Sequence, residues 1–254
     1  MTNIVLFILG SLYFALIISL GKSEPDKTRR WWINHTDLYF RLLKYIFRNR
    51  IHFTGEPLTP LKRGVTVLNA NHTHNLDNLI LFACYTGIGL PEGITSISSL
   101  DNTSNLDKKV LKMNSAVTVS TDNFNIEAFR RKLTQYTMRS YPTLLLTYFE
   151  GIALNHLTVD KHYEYIGKPQ YVAFQLLADK FPGKQFYDYT IHYRISGKPL
   201  DPKDPYFVWK LITGAEIYIH SRICKFPMLD KDPIKYLDNL YSEKNEILRH
   251  LSVK

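Results

Sequence analysis

From Ile51 onward, short runs rich in β-branched and aromatic residues alternate with stretches whose apolar residues recur at helical spacing. That alternation confines the chain to a layered α/β fold. Val65 to Ala70, Thr95 to Ser98, Ala116 to Ser120, Thr143 to Phe149, Phe186 to Tyr193 and Glu216 to His220 read as strands. Ile126, Phe129, Leu133 and Tyr136 form one helical stripe, and Tyr171, Phe174, Leu177 and Ala178 form another. A third stripe (Ile234, Leu237, Tyr241, Leu248) opens with Asp232 as N-cap and Pro233 at the first helical position. The expectation is a mixed sheet flanked by helices over residues 51–254, behind membrane-anchoring helices over residues 1–50.

The anchor is read from Ile4 to Leu20, which carry no charge and are almost wholly apolar. Seventeen residues rise about 25 Å, at the short end for crossing a bilayer. A cleaved signal peptide would want a basic start, and Met1-Thr2-Asn3 has none. The expectation is a retained transmembrane helix, with a re-entrant or interfacial helix as its alternative. The positive flank (Lys22, Lys27, Arg29, Arg30) lies on the C-terminal side, which places the following domain on the cytoplasmic face. Trp31-Trp32 then lead into Leu38, Tyr39, Leu42, Leu43, Ile46 and Phe47 with Arg41, Lys44 and Arg48 between them. This pattern suits a basic helix lying on a membrane or one packing on the core.

The chain has 32 basic and 23 acidic residues, a net charge of +9. The positives are scattered, so the excess points to anionic lipid or phosphorylated small molecules and not to nucleic acid. Two cysteines, Cys84 and Cys224, make no disulfide framework.

Asn71-His72-Thr73-His74-Asn75-Leu76-Asp77 directly follows the short apolar run Val65 to Ala70. A neutral imidazole is suited to proton transfer at neutral pH, and a carboxylate on its other nitrogen fixes the tautomer. No Ser or Cys nucleophile stands in a Gly-x-Ser-x-Gly setting, so the pair would activate a substrate hydroxyl. Taken alone, the spacing also fits a histidine with no catalytic task. His72-x-His74 with Asp77 is similar to the start of a dinuclear metal motif. Such a motif needs an Asp two positions after the second His, where this chain has Leu76. His74 reads as a solvated loop residue, and Lys161, His162 and Lys168 as a solvated positive face.

The strand Thr143 to Phe149 delivers Glu150-Gly151 at its end. Asn71-His72-x4-Asp77 followed by Phe149-Glu150-Gly151 resembles the membrane glycerolipid acyltransferases of the 1-acylglycerol-3-phosphate acyltransferase type. His162 to Tyr165, Asp188 to Tyr193 and Ala215 to His220 look like the lysocardiolipin/lysophosphatidylinositol acyltransferase branch. The resemblance covers about residues 60–250 and implies the layered α/β domain of that family. It implies acyl transfer from acyl-CoA, as co-substrate, to the free hydroxyl of a lysophospholipid. His72 would be the general base, Asp77 would orient it, and Glu150 and Gly151 would bind the acceptor. No metal or prosthetic group is implied. The implied partners are acyl-CoA, a lysophospholipid and the bilayer, in an endoplasmic reticulum-type membrane if the source is eukaryotic. The chain departs from the family at Ile152, where Thr is usual. It also has no Arg in Val117 to Thr121 and carries Arg194 where a Pro is usual. Those departures keep a second expectation open, a catalytically silent lipid-binding relative acting as a membrane scaffold.

Overall fold

In a computed structural model, residues 2–20, 29–56, 59, 64–85, 93–99, 116–119, 125–150 and 163–253 are described. They divide into two compact units, one of Met1–Asn49, Leu58–Val65 and Asn78–Leu146, the other of Arg50–Pro57, Thr66–Asp77 and Thr147–Lys254.

The first unit begins with two helices, α1 (Thr2–Leu20) and α2 (Arg29–Phe47), packed on each other. Phe14 stacks on Tyr39 at 4.5 Å between ring centroids, and Ile17 and Ile18 are buried. Gly10 lies at this contact: a Cβ there would sit 2.8 Å from Leu42 Cδ2, so the end of that leucine would have to shift. Tyr39, Phe40, Leu43, Ile46 and Phe47 give α2 its buried stripe, so α2 is a packing helix as well as a basic one. The side chains of Trp31 and Trp32 lie outside the described residues.

Among the described residues no helix is long and apolar enough to cross a membrane. The expected transmembrane helix is corrected to one member of a helical pair. The reason is geometric. One of its faces is committed to α2, where Phe14 stacks on Tyr39. Its other face stays apolar and exposed: Val5, Ile8, Leu9, Leu12 and Leu16.

The same unit carries three parallel strands in the order β5 (Thr143–Thr147), β3 (Gly93–Ser99), β4 (Val117–Val119). Every residue of β5 is buried, as expected of a strand covered on both faces. Helix α3 (Asp77–Tyr85) follows the histidine loop. Helix α4 (Ile126–Thr137) starts where Asn125 Oδ1 accepts the Ala128 N–H at 2.8 Å, a side-chain N-cap. It buries Phe129, Leu133 and Tyr136, three of the four stripe positions; Ile126 is exposed.

The second unit is built on four strands in the order β1 (Ile51–Gly55), β8 (Glu216–Lys225), β6 (Gln185–Ile195), β2 (Val65–Ala70), with the short β7 (Lys198–Pro199) on β6. β1 runs parallel to β8, β8 antiparallel to β6, and β6 parallel to β2, which makes the sheet mixed. Phe174 of α5 (Tyr171–Lys180) meets Phe226 at 5.6 Å, and Phe226 stacks on Phe186 of β6 at 4.5 Å. Helix α6 (Phe207–Thr213) buries Phe207, Leu211 and Ile212. Helix α7 (Pro233–Val253) is capped by Asp232, whose Oδ1 accepts the Ile234 and Lys235 N–H groups at 2.9 and 3.3 Å.

A charged cluster ties these elements together. Asp188 and Lys244 are both fully buried and pair at 2.7 Å. Lys244 Nζ also donates to the Tyr189 carbonyl at 3.0 Å. Arg222 Nε reaches the other Asp188 oxygen at 2.9 Å, and Asn69 Nδ2 donates to Oδ1 at 2.6 Å. β2, β6, β8 and α7 thus meet at one carboxylate, which bonds Asn69, one position before β2 ends.

Candidate active site

The loop after β2 is held by its own side chains and by its neighbour β6. Asn71 extends the ladder with its amide: Oδ1 accepts the Ile191 N–H at 2.6 Å, and Nδ2 donates to the Ile191 carbonyl at 2.9 Å. The chain then turns into α3, whose first residue is Asp77. A carboxylate at a helix N-terminus suits the open N–H groups and the positive end of the dipole there.

The His72 and Asp77 side chains meet as the spacing predicts. His72 Nδ1 lies 3.2 Å from Asp77 Oδ2. Asp77 is fully buried, whereas the His72 side chain keeps 13% of its surface. With Asp77 ionised, Nδ1 carries the hydrogen and Nε2 is the nitrogen that can take a proton. The ring lies flat on Tyr148, with 4.0 Å between centroids and planes 16° apart. Burial, together with the charges of Asp77 and Glu150, holds the Tyr148 hydroxyl well above its usual range, so it stays neutral.

Asp77 does more than face the histidine. Its Oδ2 also accepts the backbone N–H groups of Thr73 at 2.7 Å and His74 at 2.9 Å. Its Oδ1 accepts the Tyr193 hydroxyl at 2.5 Å. Glu150 completes the loop's support: its Oε2 accepts the His72 N–H at 3.1 Å. Three successive amides, from residues 72, 73 and 74, are therefore held by two buried carboxyl groups.

Glu150 keeps only 2% of its surface. Burial pushes its carboxyl up to about 8, against the pull of the Lys244 charge and of the His72 and Gly167 N–H groups; Asp77 adds to the rise. The folded protein therefore binds a proton that the unfolded chain releases near pH 4.5. Stability from this group is full below that pH and is lost as pH rises through about 8. Below pH 6.5 the buried His192, pushed down to about 4 by burial and the Arg194 charge, gives the opposite slope, so unfolding by denaturant should show stability falling with pH between about 6.5 and 8. Glu150→Gln, which cannot titrate, should flatten that slope; an unchanged slope would assign it to another group.

His74 is not the solvated loop residue expected from sequence. Its ring stacks on Phe207 of α6 at 4.2 Å, and its Nδ1 accepts the Leu76 N–H at 3.2 Å. Gly151, Ile152, Lys161 and His162 lie outside the described residues; Lys168 is exposed. Among the described residues no three His, Cys, Asp or Glu side chains are gathered as for a metal ion. Tyr148, Tyr193 and Phe207 are the residues that reading the sequence passed over. Only Tyr193 had a signal, as part of the Asp188 to Tyr193 block, and nothing local pairs it with Asp77.

No family model matches the sequence, and no curated protein matches it. Among solved structures, the chain is similar to the 1-acyl-sn-glycerophosphate (LPA) acyltransferase PlsC from Thermotoga maritima. The match covers 98% of this chain and 96% of that one, with a TM-score of 0.53 and 11% sequence identity. The two share a fold. At that identity the match speaks for the α/β architecture along the whole chain and leaves the chemistry to the site.

Proposed function

We propose that this chain transfers an acyl group from acyl-CoA to the free hydroxyl of a lysophospholipid. The observation that carries the reading is the buried Asp77 carboxylate on His72 Nδ1, set in a fold shared with a lysophosphatidic acid acyltransferase. His72 Nε2 takes the proton from the acceptor hydroxyl as its oxygen attacks the thioester carbonyl. Asp77 holds the ring and stabilises the imidazolium that forms. Collapse of the tetrahedral intermediate expels the CoA thiolate, which takes up the proton.

Glu150 and Gly151 are proposed to contribute at the acceptor. For Glu150 the contribution is indirect, because its carboxyl faces the His72 amide. The acceptor is lysophosphatidic acid or a lysophospholipid such as lysophosphatidylinositol or lysocardiolipin. The sequence blocks at Asp188 to Tyr193 and Ala215 to His220 favour the second group. No metal or prosthetic group is part of the scheme.

The membrane contact in this reading is the exposed apolar face of α1, and the positive charge of the sequence over 22–30 suits anionic headgroups. That charge favours the cytoplasmic leaflet, of an endoplasmic reticulum-type membrane in a eukaryote. The test is incubation of the purified chain with labelled oleoyl-CoA and a panel of lysolipids, with products identified by mass. An acylated lysolipid formed with release of CoA is the expected result. CoA release without lipid product would select thioester hydrolysis. Saturable lipid binding without turnover would select a binding protein.

A further inference from the structure

We propose that Tyr193 is a positioning residue of this site, acting on His72 through Asp77; the proposal rests on the acyl-transfer reading. Tyr193 lies on β6, one strand over from β2, and is itself buried. Its hydroxyl meets Asp77 Oδ1 at 2.5 Å, across 116 residues of sequence. The ring is braced edge-on by Phe207 at 5.2 Å and 80°, and the Tyr193 carbonyl accepts the Leu200 N–H at 2.9 Å.

The need for this contact follows from how the Asp77 carboxylate is loaded. Three donors converge on Oδ2: the Thr73 amide at 2.7 Å, the His74 amide at 2.9 Å and the His72 ring at 3.2 Å. The ring contact is the longest of the three. A carboxylate turns about its last bond over a broad well, and a small turn would share the two amides between its oxygens. The histidine would then lose its partner first. Tyr193 donates to Oδ1 and stops that turn, so Oδ2 stays on the imidazole. Its work is orientation, with no contact to substrate, and its loss should appear in kcat and not in KM.

Tyr193→Phe keeps the ring and its packing on Phe207 and removes only the donor. Acyl transfer to the lysolipid is compared in the wild type and this variant. The His72 imidazole of both is also read by nitrogen NMR on protein labelled at histidine and held in detergent micelles. The expected result is a kcat lowered about 10- to 100-fold, the range carried by one hydrogen bond to a charged group, with KM within twofold. In the spectrum, the single Nδ1–H tautomer of the wild type should give way to a mixture of tautomers. An unchanged kcat, a change confined to KM, or a lowered kcat with the wild-type tautomer retained would each overturn the proposal. A wild-type chain that acylates no lysolipid sinks the acyl-transfer reading instead, and the tautomer comparison then decides the positioning role by itself.

Discussion

His72→Ala is expected to lower acyl transfer from oleoyl-CoA to the lysolipid acceptor by about 10²–10⁴-fold, the usual contribution of a positioned general base. The loss should lie in kcat, because the imidazole acts on the proton that moves and the lipid is held elsewhere. The variant should fold. The His72 ring packs on Tyr148 and makes one long contact to Asp77, while the loop itself hangs on backbone amides that alanine retains. Asp77→Asn should be as damaging for a different reason. Its amide can present a donor to Nδ1, which turns the ring to the wrong tautomer. Full activity in His72→Ala would remove this histidine from the mechanism while leaving the fold untouched.

The largest expected effect on stability lies at Asp188. Replacing it by Asn keeps the shape and removes the charge, leaving Lys244 fully buried without its ion-pair partner. Breaking one side of a buried pair costs about 3–5 kcal/mol, which denaturant unfolding should register as a lower midpoint with little change in slope. Arg222 also loses its charged acceptor on β6. The double variant Asp188→Asn with Lys244→Met should recover much of the loss, since no unpaired charge remains inside. If the double variant is no more stable than the single one, the pair is not where the energy resides. The effect on activity should follow the effect on folding, because Asp188 bonds Asn69 on the strand that leads into His72.

The legible parts of the fold were those written in local pattern. The stripe at Phe129, Leu133 and Tyr136 became the buried face of α4, and Asp232 with Pro233 became the start of α7. The strands over Val65 to Ala70 and Glu216 to His220 are present, the latter extending to Lys225. β1 escaped notice. It is only five residues long with two apolar ones, none of them buried, and its partner lies far along the chain, with Ile51 paired to Ile217. Helix α6 follows a stretch with three prolines in eight residues, 198–205, and at seven residues is too short to show a repeated helical stripe. The His72–Asp77 pair was visible because both partners lie within one short loop. Tyr193 was not, because its bond to Asp77 exists only once β6 lies beside β2. The first helix was read for its apolar content. A sequence does not display that one side of such a helix is already taken by a second helix.

The amides of residues 72, 73 and 74 have a consequence for how such a site can drift. Thr73 contributes an N–H group to Asp77 through its backbone, as does His74, so these two bonds survive a change of side chain even though the Thr73 hydroxyl and the His74 ring make contacts of their own. Proline alone would forfeit the donor. A loop anchored in this way can exchange its letters while its two acids and its histidine stay put. The geometry of such a site rests on backbone amides and two carboxyl groups more than on the letters between them.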